Sequence, residues 1–228
     1  MEDLKLKDLI YIEKILTDEQ CDALIKERED RDIEGIREQC DHAFTGKITR
    51  STFEQVELIP ETENFNIVHD GSETILRNWY SHLKTFNSFY VEALAGHTNF
   101  SHKYRLMRYK EGGWIHPHMD WHPMCTGSLT IALNDESEYE GGDFVFFNQH
   151  KVRLKKGEAM VFPANPFFVH EVREIKKGVR YSVNSFLEIL NFEDSRFVNG
   201  EVYKRMDLYK QHPSPWQYNL GESNGINY

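Results

Sequence analysis

Cysteine is scarce in this 228-residue chain: Cys21, Cys40 and Cys125 stand far apart and never as CxxC. That excludes a zinc ribbon and a disulfide framework, and points to a reducing, cytoplasmic compartment in which the thiols act as small buried apolar groups. Long apolar runs are missing as well. None approaches the roughly 18 residues of a membrane span, and the opening Met1-Glu2-Asp3-Leu4-Lys5 lacks the basic and apolar regions of a secretory signal. No membrane partner is expected. Positive charge is in deficit, 27 basic against 37 acidic residues for a formal net charge of −10. Basic residues gather only in pairs such as Lys155-Lys156 and Lys176-Lys177. A protein held on a nucleic acid by phosphate contacts needs the opposite balance, so no nucleic-acid partner is expected either. Internal repeats and low-complexity tracts are absent.

What is present is the material of a core. Hydrophobic residues make up 39% and aromatics 13% of the chain, which excludes global disorder and suits one domain spanning residues 1–228. Three stretches are expected within it. Residues 1–100 read as a mostly helical support. Thr17-Asp18-Glu19-Gln20 is a capping-box pattern followed by Cys21, Leu24 and Ile25 at helical spacing. A second helix is expected from Glu73 to Ala95, with Ile75, Leu76, Trp79, Tyr80, Leu83, Phe86, Phe89 and Tyr90 on one broad apolar face, packed against a sheet. From about 101 to 190 the chain turns to short β-rich runs: 104–109, 114–119, 127–133, 143–148, 159–162, 167–172 and 179–187. Gly112-Gly113, Gly141-Gly142, Lys156-Gly157, Pro163 and Lys177-Gly178 punctuate them. Seven or so strands at this spacing argue for a sandwich, jelly roll or barrel. Residues 191–228, polar and aromatic, read as an irregular cover or tail.

Histidine is concentrated in Gly113-Trp114-Ile115-His116-Pro117-His118-Met119-Asp120-Trp121-His122. On an extended strand positions 116, 118, 120 and 122 share a face, so a histidine and an aspartate two apart can reach one metal. The triplet alone says little, because composition by chance supplies roughly 0.6 HxD triplets in such a chain. Its context lies further on. His170 sits in the apolar run Phe167-Phe168-Val169-His170-Glu171-Val172, and ten residues later comes Arg180-Tyr181-Ser182. On a strand Arg180, Ser182, Asn184 and Phe186 share one face. An arginine turned into a sheet interior is costly unless it meets an anion, and a guanidinium beside a hydroxyl suits a small carboxylate. An internal Arg–Glu pair is the plainer alternative. For His170 the plainer alternative is a core histidine with a satisfied hydrogen bond.

From about Tyr104 to Leu187 the sequence resembles the 2-oxoglutarate- and Fe(II)-dependent dioxygenases, in particular the prolyl 4-hydroxylase branch. Tyr109, Gly112-Gly113, His118-Met119-Asp120, Leu133-Asn134, Gly141-Gly142-Asp143-Phe144, Lys156-Gly157, Ala159 to Pro163, His170 and Arg180 follow the family pattern in order. The run Leu9 to Ile25 resembles the strand and first helix that open such domains. The resemblance implies a mainly β fold with α, a double-stranded β-helix (jelly roll, cupin-like) core of about eight strands flanked by N-terminal helices. It implies His118, Asp120 and His170 as Fe(II) ligands, with Arg180 and Ser182 on the distal carboxylate of 2-oxoglutarate and Tyr109 near that cosubstrate. Two departures stand out: Ala132 occupies a place where prolyl hydroxylases often carry an aromatic, and Arg180 stands where collagen-type enzymes commonly use lysine. His116 and His122 fall outside the pattern.

The implied activity couples decarboxylation of 2-oxoglutarate to succinate and CO2, using O2, with hydroxylation of a C–H bond, and ascorbate is the candidate reductant. The expected substrate is a prolyl residue of a peptide or protein; a free amino acid or other small molecule is the alternative. A rival reading is a non-redox cupin-like metal module that uses the same histidines. Another is a structural protein with an inert β core. The loops 44–72 and the stretch beyond 191 are the places expected to decide the substrate, and oligomeric state is not encoded in any motif.

Overall fold

The computed structural model describes residues 5–31, 39–41, 48–50, 53–86, 99–100, 103–120 and 125–188. His122, the expected cover 191–228 and the end of the expected second helix lie outside these residues. Fifteen strands and two α-helices follow in the order β1 (Tyr11–Lys14), α1 (Asp18–Asp30), β2 (Gln39–Asp41), β3 (Ile48–Arg50), β4 (Glu54–Glu57), α2 (Glu63–Lys84), β5 (Asn99–Phe100), β6 (Arg105–Tyr109), β7 (Ile115–His118), β8 (Cys125–Ala132), β9 (Tyr139–Gly141), β10 (Phe144–Phe146), β11 (His150–Val152), β12 (Glu158–Pro163), β13 (His170–Val172), β14 (Ile175–Gly178) and β15 (Arg180–Glu188).

The strands pair antiparallel into a larger sheet, β1-β12-β8-β15-β6-β4 with β5 also on β15, and a smaller sheet, β11-β10-β13-β7. β9 with β14 and β2 with β3 form two-stranded ribbons. This is the expected jelly roll, widened by β1, β4 and β5 beyond the eight or so strands anticipated. Alternation along the strands separates two cores. Met107, Tyr109, Ala132, Met160 and Phe162 of the larger sheet meet Phe144, Phe146 and Val172 of the smaller one inside the roll. Their neighbours Leu106, Leu129, Ile131, Val161 and Val183 point the other way, onto Leu24 of α1 and Val68, Ile75, Leu76 and Trp79 of α2.

α1 begins as its sequence dictates: Thr17 Oγ1 accepts from the Gln20 amide and the Gln20 side chain accepts from the Thr17 amide. α2 differs from expectation at both ends. It starts ten residues early, where Thr62 caps the Phe65 amide, and stops at Lys84, so Phe86 is exposed rather than part of an apolar face. The early turns carry Asn64, Asn66, His69 and Asp70, which dilute the apolar period that marks the later ones. The N-terminal stretch is also less helical than expected, since β1 and β4 complete the larger sheet. Residues 54–57 and 63–72 are therefore strand and helix, not the substrate loop anticipated over 44–72.

Inside the roll, most expected strands lie within two or three residues of their places. Two were overdrawn. β10 ends at Phe146 because Phe147 and Asn148 both take positive φ, 56° and 58°, at the centre of a turn that the Gln149 amide closes onto the Phe146 carbonyl at 3.0 Å within the three-residue loop to β11. Residues 166–168 form a 3-10 turn capped by Asn165, whose Oδ1 accepts from the Phe167 amide at 2.9 Å, so only His170 to Val172 pair as strand. The Lys156-Gly157 turn has a steric reason. Gly157 sits at φ 80° with its Cα against the Leu16 carbonyl, and any side chain there would collide with backbone. Among the described residues, no helix is long and apolar enough to cross a membrane.

Candidate metal centre

β7 and β13 are neighbours in the smaller sheet, with His118 directly opposite His170. Their rings stand 4.4 Å apart between centroids. Asp120, two residues beyond the end of β7, turns back toward both: its Oδ1 is 3.2 Å from His118 Nε2 and its Oδ2 3.3 Å from His170 Nε2. One ligand atom from each of the three lies within 4.8 Å of the others, and among the described residues no other such cluster occurs.

The backbone sets the state of both rings. His118 Nδ1 lies 2.8 Å from the His116 carbonyl and His170 Nδ1 3.0 Å from the Phe168 carbonyl. A carbonyl only accepts, so each Nδ1 carries hydrogen and each neutral ring turns the lone pair of Nε2 toward Asp120. Two imidazole lone pairs facing a carboxylate repel unless a cation stands among them, either protons on the rings or a metal ion. Burial pushes the Asp120 carboxyl up, but the adjacent His170 and His118 outweigh it and hold the group well below the usual carboxylate range. The donor set, two nitrogens and one carboxylate, is that of a facial-triad iron site with open positions. Aromatic side chains wall it: Phe144 stacks on the His170 ring at 5.0 Å and 10°, and Phe162 meets it edge-on at 4.9 Å.

Arg180 opens β15 on the interior face and is 5% exposed. Its guanidinium carbon lies 5.0 Å above the Tyr109 ring, and Nη1 donates to Ser182 Oγ at 3.4 Å. Among the described residues no carboxylate pairs with it, which removes the internal Arg–Glu alternative there. Tyr109 and Ser182 are both fully buried beside it. His116 is buried, with its ring 5.6 Å from that of His118.

Other residues contribute in ways the sequence did not disclose. Asn134 donates to the Val179 carbonyl at 2.8 Å and accepts from the Tyr181 amide at 2.9 Å, gripping the backbone on either side of Arg180. The Leu133-Asn134 motif thus has a physical reason that spacing alone did not reveal. Asn184 and Thr130 also face inward, hydrogen-bonded to each other at 3.1 Å.

Residues 104–188, the span holding all of these groups, match the model of the 2OG-Fe(II) oxygenase superfamily. That match is to a 2OG-Fe(II) oxygenase domain and covers 85 of the 228 residues. A PKHD-type hydroxylase of Acinetobacter baumannii is 33% identical over 72 residues, 30% of this chain and 31% of that protein. The chain thus spans about a third of the length of curated relatives it matches. In fold, the chain is similar to a viral collagen prolyl hydroxylase of Paramecium Bursaria Chlorella virus-1, with a TM-score of 0.58 and 18% identity, covering 80% of this chain and 96% of that one. A Pseudomonas putida prolyl-4-hydroxylase gives 0.57 at 17% identity, covering 79% and 92%.

Proposed function

We propose that this chain is an Fe(II)- and 2-oxoglutarate-dependent hydroxylase acting on a prolyl residue of a peptide or protein. One observation carries the reading: His118, Asp120 and His170 converge on one point while a buried arginine without a carboxylate partner stands on the same interior. In this proposal the three side chains hold iron(II) and leave positions open beside it. With 2-oxoglutarate and O2, such a centre supplies C–H hydroxylation coupled to formation of succinate and CO2.

The chain's own residues supply the rest. The His116 and Phe168 carbonyls fix both imidazoles in the tautomer that can ligate, so that little reorganisation accompanies metal binding. Arg180 receives the distal carboxylate in its fork, with Ser182 alongside and Tyr109 stacked beneath the guanidinium. Asn134 keeps that arginine from shifting along the strand. Phe144, Phe146 and Phe162 exclude water from the reacting centre. A cytoplasmic setting belongs to the proposal, in keeping with Cys21 and Cys125 both buried as thiols.

The test is an anaerobic Fe(II) titration with and without 2-oxoglutarate, followed by O2 and mass spectrometry of proline-containing peptides, run with and without ascorbate. Metal-dependent keto-acid binding and a gain of one oxygen in a peptide are expected. Metal binding without any keto-acid binding would favour the non-redox cupin-like reading instead.

A further inference from the structure

On the interior face of the larger sheet, residues in register form rows across the strands. Phe162 of β12, Ser128 of β8 and Phe186 of β15 make one such row. At one end of it the Phe162 ring meets that of His170 at 4.9 Å. At the other end the guanidinium carbon of Arg105, on β6, lies 5.0 Å from the centre of the Phe186 ring. A single row of side chains thus joins the candidate metal centre to a second arginine.

Arg105 is partly buried, and among the described residues the Phe186 ring is the one partner recorded for its guanidinium. Glu57, its cross-strand neighbour on β4, forms no ion pair with it. The residue opposite Arg105 on the other side is Asn184, and a chain of hydrogen bonds fixes which way its amide points. Arginine can only donate, so Ser182 Oγ accepts from Arg180 at 3.4 Å and gives its own hydrogen to Asn184 Oδ1 at 3.2 Å. Thr130 Oγ1, from β8, donates to the same oxygen at 3.1 Å. The Thr130 bond turns Oδ1 toward β8, on the side of β15 opposite β6, and the Nδ2 hydrogens are left as donors with no acceptor among the described residues. Ser128, 3% exposed in the middle of the row, has a hydroxyl with no hydrogen-bond partner there either. Unspent donors gathered on one interior face invite an acceptor from outside the chain.

We propose that Arg105 and the Asn184 amide form a carboxylate subsite for the molecule to be hydroxylated, beside the anchor at Arg180. The inference rests on the hydroxylase reading above and narrows its substrate to one that carries a carboxylate near the oxidised carbon. Stacking on Phe186 holds the guanidinium plane and leaves its N–H edge to grip two carboxylate oxygens. The Phe186 and Phe162 rings bed the apolar part of the substrate between that grip and the metal centre. The two sites adjoin, since Ser182 Oγ lies 3.4 Å from Arg180 Nη1 and 3.2 Å from Asn184 Oδ1, so the cosubstrate titration in the test below is what assigns Arg105 to the substrate and not to 2-oxoglutarate.

The carboxylate could be a chain terminus or an acidic side chain, and the probes distinguish them. Zn(II)-loaded protein is first titrated with 2-oxoglutarate, then, saturated with it, with N-acetyl-proline, N-acetyl-prolinamide and N-acetyl-Asp-prolinamide under ligand-observed NMR. At least one acidic probe is expected to bind about tenfold tighter than the neutral amide, the factor that a charge-assisted hydrogen bond supplies. Arg105→Gln should erase that preference and Arg105→Lys should keep part of it, both with unchanged 2-oxoglutarate binding, which also shows that the variants fold. Equal binding of the three probes, undetectable binding of all three, or a preference that survives Arg105→Gln would overturn the inference. Absence of metal-dependent 2-oxoglutarate binding in the unaltered protein would instead remove the hydroxylase reading, and this inference with it.

Discussion

The two faces of the larger sheet each bury arginine, and they treat it in opposite ways. On the outer face Arg108 meets both oxygens of Glu29 at 2.7 Å and bonds Glu54 through Nε at 2.6 Å, and Arg28 reaches Glu54 at 3.1 Å. Lys110 and Tyr181 close the network onto the same two acids. On the inner face Arg180 has a tyrosine ring and a serine hydroxyl but no acid among the described residues. The outer charges meet carboxylates of the chain itself and tie α1 to β4, β6 and β15. The inner charge is left for something the chain does not contain. Burial of a guanidinium therefore does not mark function; the lack of an internal counter-charge does.

Substitutions on the two faces should dissociate completely. The largest effect is expected at the metal centre. Asp120→Ala should weaken Co(II) binding, followed by its visible absorption, by more than the roughly 10–100-fold that losing an outer-shell partner costs. Thermal stability should be nearly unchanged, because the fold rests on the two apolar cores. Next, Arg180→Ala should weaken 2-oxoglutarate binding by about 2–5 kcal/mol, as truncating one partner of a buried charge pair does, with metal affinity retained. Calorimetry showing an unaltered keto-acid affinity would place the anchor elsewhere.

Arg108→Met is the mirror experiment. It should lower unfolding stability by about 2–3 kcal/mol in urea, less than for a fully buried pair because Glu29 keeps some solvent. Keto-acid affinity should not move. If it falls as far as in Arg180→Ala, the two faces are not separable. The smallest effect is one of pH. Burial raises the Glu29 and Glu54 carboxyls, but hydrogen bonds, from Arg108 and Tyr181 on Glu29 and from Lys110 and Arg108 on Glu54, outweigh it and hold both below the ordinary 4.5. A carboxylate depressed in the folded state adds stability above its unfolded value and loses it as pH falls through the folded one. Melting temperature should thus be flat from neutral pH to about 5 and fall below about 4.5, and Arg108→Met should show a shallower fall.

Much of the site was legible before any coordinates. The order of His118, Asp120, His170 and Arg180 among glycine turns and apolar strands pointed to a metal and an anion on one jelly roll. Local chemistry also set the start of α1, through Thr17 and Gln20. Elements failed where the decisive interaction was remote or where a local signal was weak against its surroundings. β1 was anticipated only through the family resemblance of Leu9 to Ile25, whereas β4 is a strand because it pairs with β6, distant in sequence, and not because its own four residues favour it. β9 and β14 went unread for the same reason, while β11, paired with its sequence neighbour β10, has only three residues and is too short to show a period. The apolar period of α2 is interrupted in its first turns, so its start was placed late. Asn165 and Pro166 did announce the turn before His170, but the aromatic run after them read as strand.

The sequence by itself determined which side chains alternate inward, and hence that Arg180, Ser182 and Asn184 share a face, because strand periodicity is local and rigid. Only the tertiary structure decided that His170 pairs opposite His118, that Asp120 turns back between them, and that Arg108 finds acids while Arg180 does not. Those outcomes depend on which strands become neighbours, and that is settled by burying two apolar faces at once, a property of the whole chain and of no segment within it.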